Sequence, residues 1–127
     1  MDCFEQLAWT IGWESEDPAL AALHFYTVAS FNLQHPAQFT DEALAGLRSL
    51  YLEAVDAGWT NEQVRRRAVE RGAGQRQVLR PAADRRPALK RWSRTIDDVY
   101  LPDQPEGAAE RVRDWVAAIR RELASEG

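Results

Sequence analysis

Two histidines, His24 and His35, are the side chains of this chain best suited to moving a proton, because imidazole titrates closest to neutrality. They stand eleven residues apart in the stretch Asp17 to Pro36, DPALAALHFYTVASFNLQHP. On a helix that is almost three turns, so the rings project from nearly the same face but roughly 16 Å apart along the axis. A metal–nitrogen bond is about 2 Å long, so one ion cannot take both rings. Zinc needs three or four ligands, and the chain offers one thiol, Cys3, besides these two separated imidazoles. No metal and no cofactor is therefore expected, and no G-x-G-x-x-G, Walker A, H-E-x-x-H or G-x-S-x-G motif is present.

Each histidine still has two readings. His24 is either a core histidine satisfied by a carbonyl or carboxylate, or a proton carrier sharing a pocket with Thr27 and Asp98. The run Gln34-His35-Pro36 is either a helix C-terminus, where His bonds free carbonyls, or a polar site at the mouth of a bundle. The candidate catalytic residues are His24, Thr27 and His35, and the candidate ligand-binding residues are Gln34, His35 and Asp98. A third kind of chemistry is carried by Arg65, Arg66 and Arg67, which can contact an anion through planar, bidentate guanidinium groups.

The element that positions these residues is a helix over about 18–35. Asp17 is its N-cap and Pro18 fits the first helical position. Pro36 pushes the residue before it out of the α region and ends it. Between the ends there is no Lys, Arg, Asp or Glu. A helix apolar all round is buried on several sides, so this one reads as the hub of the fold. Its polar groups then need partners, because a buried unpaired group costs about 1–3 kcal/mol.

Around the hub the spacing predicts helices and nothing else. Phe4, Leu7, Ala8 and Ile11 give a first helix over 2–13. Thr40 caps a third, with Leu44, Leu47, Leu50, Tyr51, Ala54 and Val55 inward, and Gly58 takes the left-handed position that stops it. Thr60 and Gln63 form a capping box for a short fourth helix ending at Gly72. Thr95 caps a further turn with Asp98 at its third position. Val112, Trp115, Val116, Ile119 and Leu123 form the stripe of a last helix over about 105–124. Residues 72–91, with Gly72, Gly74, Pro81 and Pro87, read as an irregular Arg-rich crossing loop, with a turn of helix at 75–79 and anchors at Leu89 and Trp92. The expected architecture is all-α, a four- to five-helix bundle in a single domain spanning 1–127.

Charge is distributed in blocks. Residues 1–64 hold ten acids and one base, 65–94 hold eleven bases and two acids, and 95–127 hold eight acids and four bases. Either the blocks pair with one another or the basic block meets an outside anion. The acidic remainder would repel a duplex, which argues against nucleic acid as partner. With one cysteine no intramolecular disulfide forms, and no apolar run reaches membrane length, so a cytoplasmic location is expected.

The series Leu23-His24-x-x-Thr27-Val28-x-x-Phe31-x-Leu33-Gln34-His35-Pro36 resembles the signature L-H-x-L-T-V-D-x-Y-x-x-Q-H-P of a family of small uncharacterised bacterial proteins, a domain of unknown function. Cys3, the segment Thr95-Ile96-Asp97-Asp98-Val99, and Val112 to Val116 with Trp115 follow that family's order, so the resemblance spans nearly the whole chain. Ala29 stands where the family often has an acid and Phe31 where it often has Tyr. The Cys-x-x-Cys-like opening of many relatives is absent. The resemblance implies a fold and a motif, with no activity attached. The function expected from these residues is a non-enzymatic helical module binding a small molecule or a protein partner, with a homodimer as one form. The alternatives are an enzyme using His24 or His35 as acid or base, and an Arg-mediated nucleic-acid binder.

Overall fold

Five of the helices begin at residues whose side chains satisfy their first free amides. In the computed structural model, which describes residues 1–72, 78–85 and 90–126, Asp2 caps α1 (Cys3–Gly12) and Asp17 caps α2 (Pro18–Ala21). Thr40 caps α4 (Asp41–Ala57), and Thr60 with Gln63 closes a capping box on α5 (Asn61–Glu70). A second capping box, Thr95 with Asp98, opens α6 (Ile96–Val99). Gly107 precedes α7 (Ala108–Ser125), and Gly58 ends α4 in the left-handed conformation at φ 67°. Short 3-10 turns lie at Trp13–Ser15, Pro36–Gln38 and Ala82–Asp84. The protein is all-α: among the described residues there are seven α-helices and no strand, only an isolated antiparallel bridge between Phe39 and Leu79.

The expected single hub helix over 18–35 is two helices. α3 (His24–Gln34) follows α2 after a break at Ala22 and Leu23. The cause is a side chain from far along the chain. The carboxamide of Asn61, the first residue of α5, accepts from the Phe25 amide at 3.1 Å and donates to the Ala21 carbonyl at 3.1 Å. Those two backbone groups would bond each other in an unbroken helix. The inserted amide satisfies both and opens the ladder.

α3 keeps the role of hub. It packs against α1, α4, α5 and α7, and Tyr26, Thr27, Ala29, Ser30, Phe31, Leu33 and Gln34 are buried along it. α7 is the second main wall of the core, with Val112, Trp115 and Ile119 fully buried. The buried polar side chains of α3 are paired. The Tyr26 hydroxyl donates to the carbonyls of Ala54 at 3.1 Å and Trp59 at 2.6 Å. Ser30 and Tyr51 share a buried hydroxyl–hydroxyl bond of 2.8 Å. Burial pushes the Tyr51 hydroxyl well above the ordinary phenol range, with the Ser30 bond opposing.

The tryptophans divide. Trp115 is core, Trp13 stacks on Tyr100 with ring centroids 5.2 Å apart, and Trp9 is 56% exposed. The last helix starts three residues later than its spacing suggests, because residues 100–107 are held as an irregular connection. Arg111 holds it, donating to the carbonyls of Val99 at 2.9 Å, Gln104 at 2.7 Å and Glu106 at 2.8 Å. In the basic crossing, the expected turn at 75–79 falls partly on residues 75–77, outside the described set, and Leu79 forms the bridge to Phe39 instead of a helical turn. Leu89 also lies outside it, while Trp92 packs half-buried against the core. No helix among the described residues is long and apolar enough to cross a membrane.

Candidate functional site

His35 sits one residue past the end of α3, and three contacts set its ring. Nδ1 meets the Phe31 carbonyl oxygen at 2.8 Å. The ring stacks on Phe31 with centroids 3.9 Å apart and planes at 15°. The Phe4 ring of α1 leans on it at 5.9 Å. A carbonyl oxygen only accepts, so Nδ1 carries the proton, and Nε2 of the neutral ring is an acceptor. Nε2 has no hydrogen-bond partner among the described residues. Through Nδ1 the ring thus bonds a free carbonyl of the helix C-terminus, as expected of a histidine at that position.

The ring borders two adjoining hollows, of about 450 and 460 Å³, that meet at Gln34, His35 and Lys90. Cys3, Trp92, Thr95 and Asp97 complete the first, and Phe4 and Arg85 border the second. Lys90 holds its ammonium 4.0 Å above the Trp92 ring and also pairs with Glu126. Arg91 borders the first hollow, is exposed, and has no partner among the described residues. The acid on this rim, Asp97, accepts from the Gln6 amide at 2.8 Å. Lys90 is paired with Glu126, so the cation this rim leaves open among the described residues is Arg91.

Gln34 lines the hollow but its amide is already engaged. Its carbonyl accepts from the fully buried Trp115 indole at 3.1 Å, and its NH₂ donates to the Arg94 carbonyl at 2.7 Å. The indole only donates and the carbonyl only accepts, so the amide orientation is unambiguous. Gln34 thus ties α7 to the segment that forms the far side of the hollow. Asp98 is the reciprocal cap of α6, accepting from the Thr95 amide at 2.9 Å.

His24 is the main correction. It is neither a core histidine nor in a pocket with Thr27 and Asp98. Its side chain is 49% exposed at the start of α3, and Nδ1 lies 2.9 and 3.0 Å from the two oxygens of the Glu14 carboxylate. The break before α3 leaves this first residue on the surface. Thr27 is fully buried and bonds back to the Leu23 carbonyl at 3.2 Å. His24 and His35 thus occupy opposite ends of α3 with different partners. No group of three or more His, Cys, Asp or Glu side chains among the described residues is arranged as metal ligands.

Arg65, Arg66 and Arg67 do not act together. Arg67 pairs with Glu53 and Glu70 at 3.3 and 3.1 Å, Arg66 with Glu62 at 3.4 Å, and Arg65 is exposed. Arg71 joins Glu53 and Arg80 joins Asp41, so much of the basic block meets acids of the first half of the chain. Sequence reading took Lys90 and Arg91 only as part of the basic block that could meet an outside anion, and it missed Glu14. The two bases carried a further signal, since they stand directly before Trp92; Glu14 carried none.

The family model for a Family of unknown function (DUF5946) matches residues 1–124, and the chain belongs to that family. No curated protein and no solved structure matches it.

Proposed function

We propose that this member of DUF5946 is a non-enzymatic module that binds a small molecule in the hollow beside His35. The ligand carries a hydrogen-bond donor for Nε2 and an anionic group for Arg91. One observation supports this above the rest: the His35 ring is locked by Phe31 with its acceptor nitrogen unpartnered among the described residues, in a hollow bordered by Lys90 and Arg91. A preset acceptor and a nearby unpaired guanidinium favour binding without rearrangement, which lowers the entropy lost on association. Trp92 adds apolar area to the same lining. A binding role is favoured over acid–base chemistry because the other polar groups of the wall, Gln34 and Asp97, are engaged in holding the fold together.

The test is a thermal-shift titration with small hydroxycarboxylates, citrate first, and with inorganic phosphate. A ligand selective for the native state at a hundred times its Kd stabilises by about 2.7 kcal/mol. The expected result is a saturable rise in Tm that is lost in both His35→Phe and Arg91→Ala, each folded as the parent. A flat response to every probe, or a rise that survives both substitutions, removes the proposal.

A further inference from the structure

A separate hollow of about 250 Å³ shares no lining residue with the one at His35. Its walls are almost wholly apolar: Phe39, Leu44, Leu47 and Leu50 before and along α4, Ala68 on α5, and Val78. The Val78 side is pinned in place. Thr40 donates to the Val78 carbonyl and Arg80 to the Gln38 carbonyl, both at 2.9 Å, and Arg80 pairs with Asp41.

Two further features single this hollow out. Gly46 lines it from inside α4, where a glycine is less favourable than alanine. Gly46 therefore brings no side chain to that wall. Asn32 lines it from α3. The other polar side chains of that helix all have protein partners: His24, Tyr26, Thr27, Ser30 and Gln34. Asn32 alone among them has none among the described residues. The one charged group at the hollow, Arg71, is neutralised by Glu53 and donates to Ser49 at 3.0 Å.

We infer that this hollow is a second binding site, for a small uncharged molecule of one or two rings with a single hydroxyl, carbonyl or amide group that meets Asn32. The size follows from the volume, since a dry cavity of about 150 Å³ takes benzene. The absence of charge follows from the pairing of Arg71. Apolar walls with one convergent polar group are the usual composition of a small-molecule site.

The experiment titrates the full chain with 1-naphthol and with naphthalene, following backbone amide shifts. Saturable shifts centred on residues 43–50 and 68 are expected, with 1-naphthol binding roughly threefold to tenfold tighter, the worth of one hydrogen bond. Gly46→Leu fills the hollow and should weaken both probes at least about tenfold; Ala43→Leu does the same from one turn earlier on α4 should the first variant fail to fold. Asn32→Leu should bring 1-naphthol down to the affinity of naphthalene. Absence of saturable shifts with either probe overturns the inference. So do shifts centred elsewhere, or shifts that persist in a folded filling variant. Equal affinities for the two probes, unchanged by Asn32→Leu, overturn the assignment of Asn32.

Discussion

Replacing Gln34 with Leu isolates the tie between the core and the wall of the candidate site. The Trp115 indole is fully buried, so without its acceptor its N–H faces neither water nor protein. A donor stranded in this way costs about 1–3 kcal/mol. The Arg94 carbonyl belongs to an exposed residue and can rehydrate, so its loss is only the net value of a hydrogen bond, about 0.5–1.5 kcal/mol. Leucine fills most of the space and adds little cavity. The net expectation is a destabilisation of about 2–3 kcal/mol, or roughly 6–12 °C in Tm for a chain of this size. Urea unfolding followed by tryptophan fluorescence and circular dichroism gives the value. A double-mutant cycle assigns it: Trp115→Phe should cost less in the Gln34→Leu background by about 1–2 kcal/mol, because the acceptor it would strand is already gone. A loss below about 0.5 kcal/mol, or no coupling in the cycle, would refute the tie. Either result would return Gln34 to the set of groups available to a ligand.

Two other perturbations follow from the geometry. Arg111→Leu removes three bonds to the carbonyls of Val99, Gln104 and Glu106, and should cost about 2–4 kcal/mol in urea unfolding; Arg111→Lys should not restore it, because an ammonium cannot span the three acceptors. Amide exchange over 100–107 should speed up in both variants. Tyr51 bears on alkaline stability. Burial raises its folded pKa above the unfolded value of about 10, so its contribution is complete below that pH and is lost as pH rises further. Tyr51→Phe should flatten the fall in stability between about pH 10 and 11.5; an unchanged slope would mean that another group governs that limb.

What the sequence discloses here is set by how far each interaction reaches. The caps at Asp17, Thr40, Thr60 and Thr95 and the stop at Gly58 are all decided within a few residues, and each is readable from adjacent letters. So is the backward bond of His35 to Phe31, four residues earlier. The need for partners inside an uncharged helix is equally readable, since it follows from burial alone. The identity of those partners is not, because Ser30 meets Tyr51 across 21 residues and Gln34 meets Trp115 across 81. Side-chain alternation along one helix carries no record of which other helix it will face.

The break before α3 takes this further. Local signals from Asp17 to Pro36 all agree on one continuous helix: a cap, a proline at the first position, no charge and no internal breaker. The opposing signal is a single asparagine, Asn61, which stands where a capping box opens α5 and therefore looks like an ordinary first-turn residue. Its carboxamide offers one acceptor and one donor in the same plane, which matches the Phe25 amide and the Ala21 carbonyl that an intact turn would join. Two side-chain bonds stand in for the Phe25–Ala21 backbone bond and anchor the start of α5 to the hub. It also puts His24 at the first turn of a new helix, within reach of Glu14, instead of in the middle of a buried one. One distant polar side chain therefore sets the surroundings of His24, and nothing in the periodicity of the hub could have foretold it.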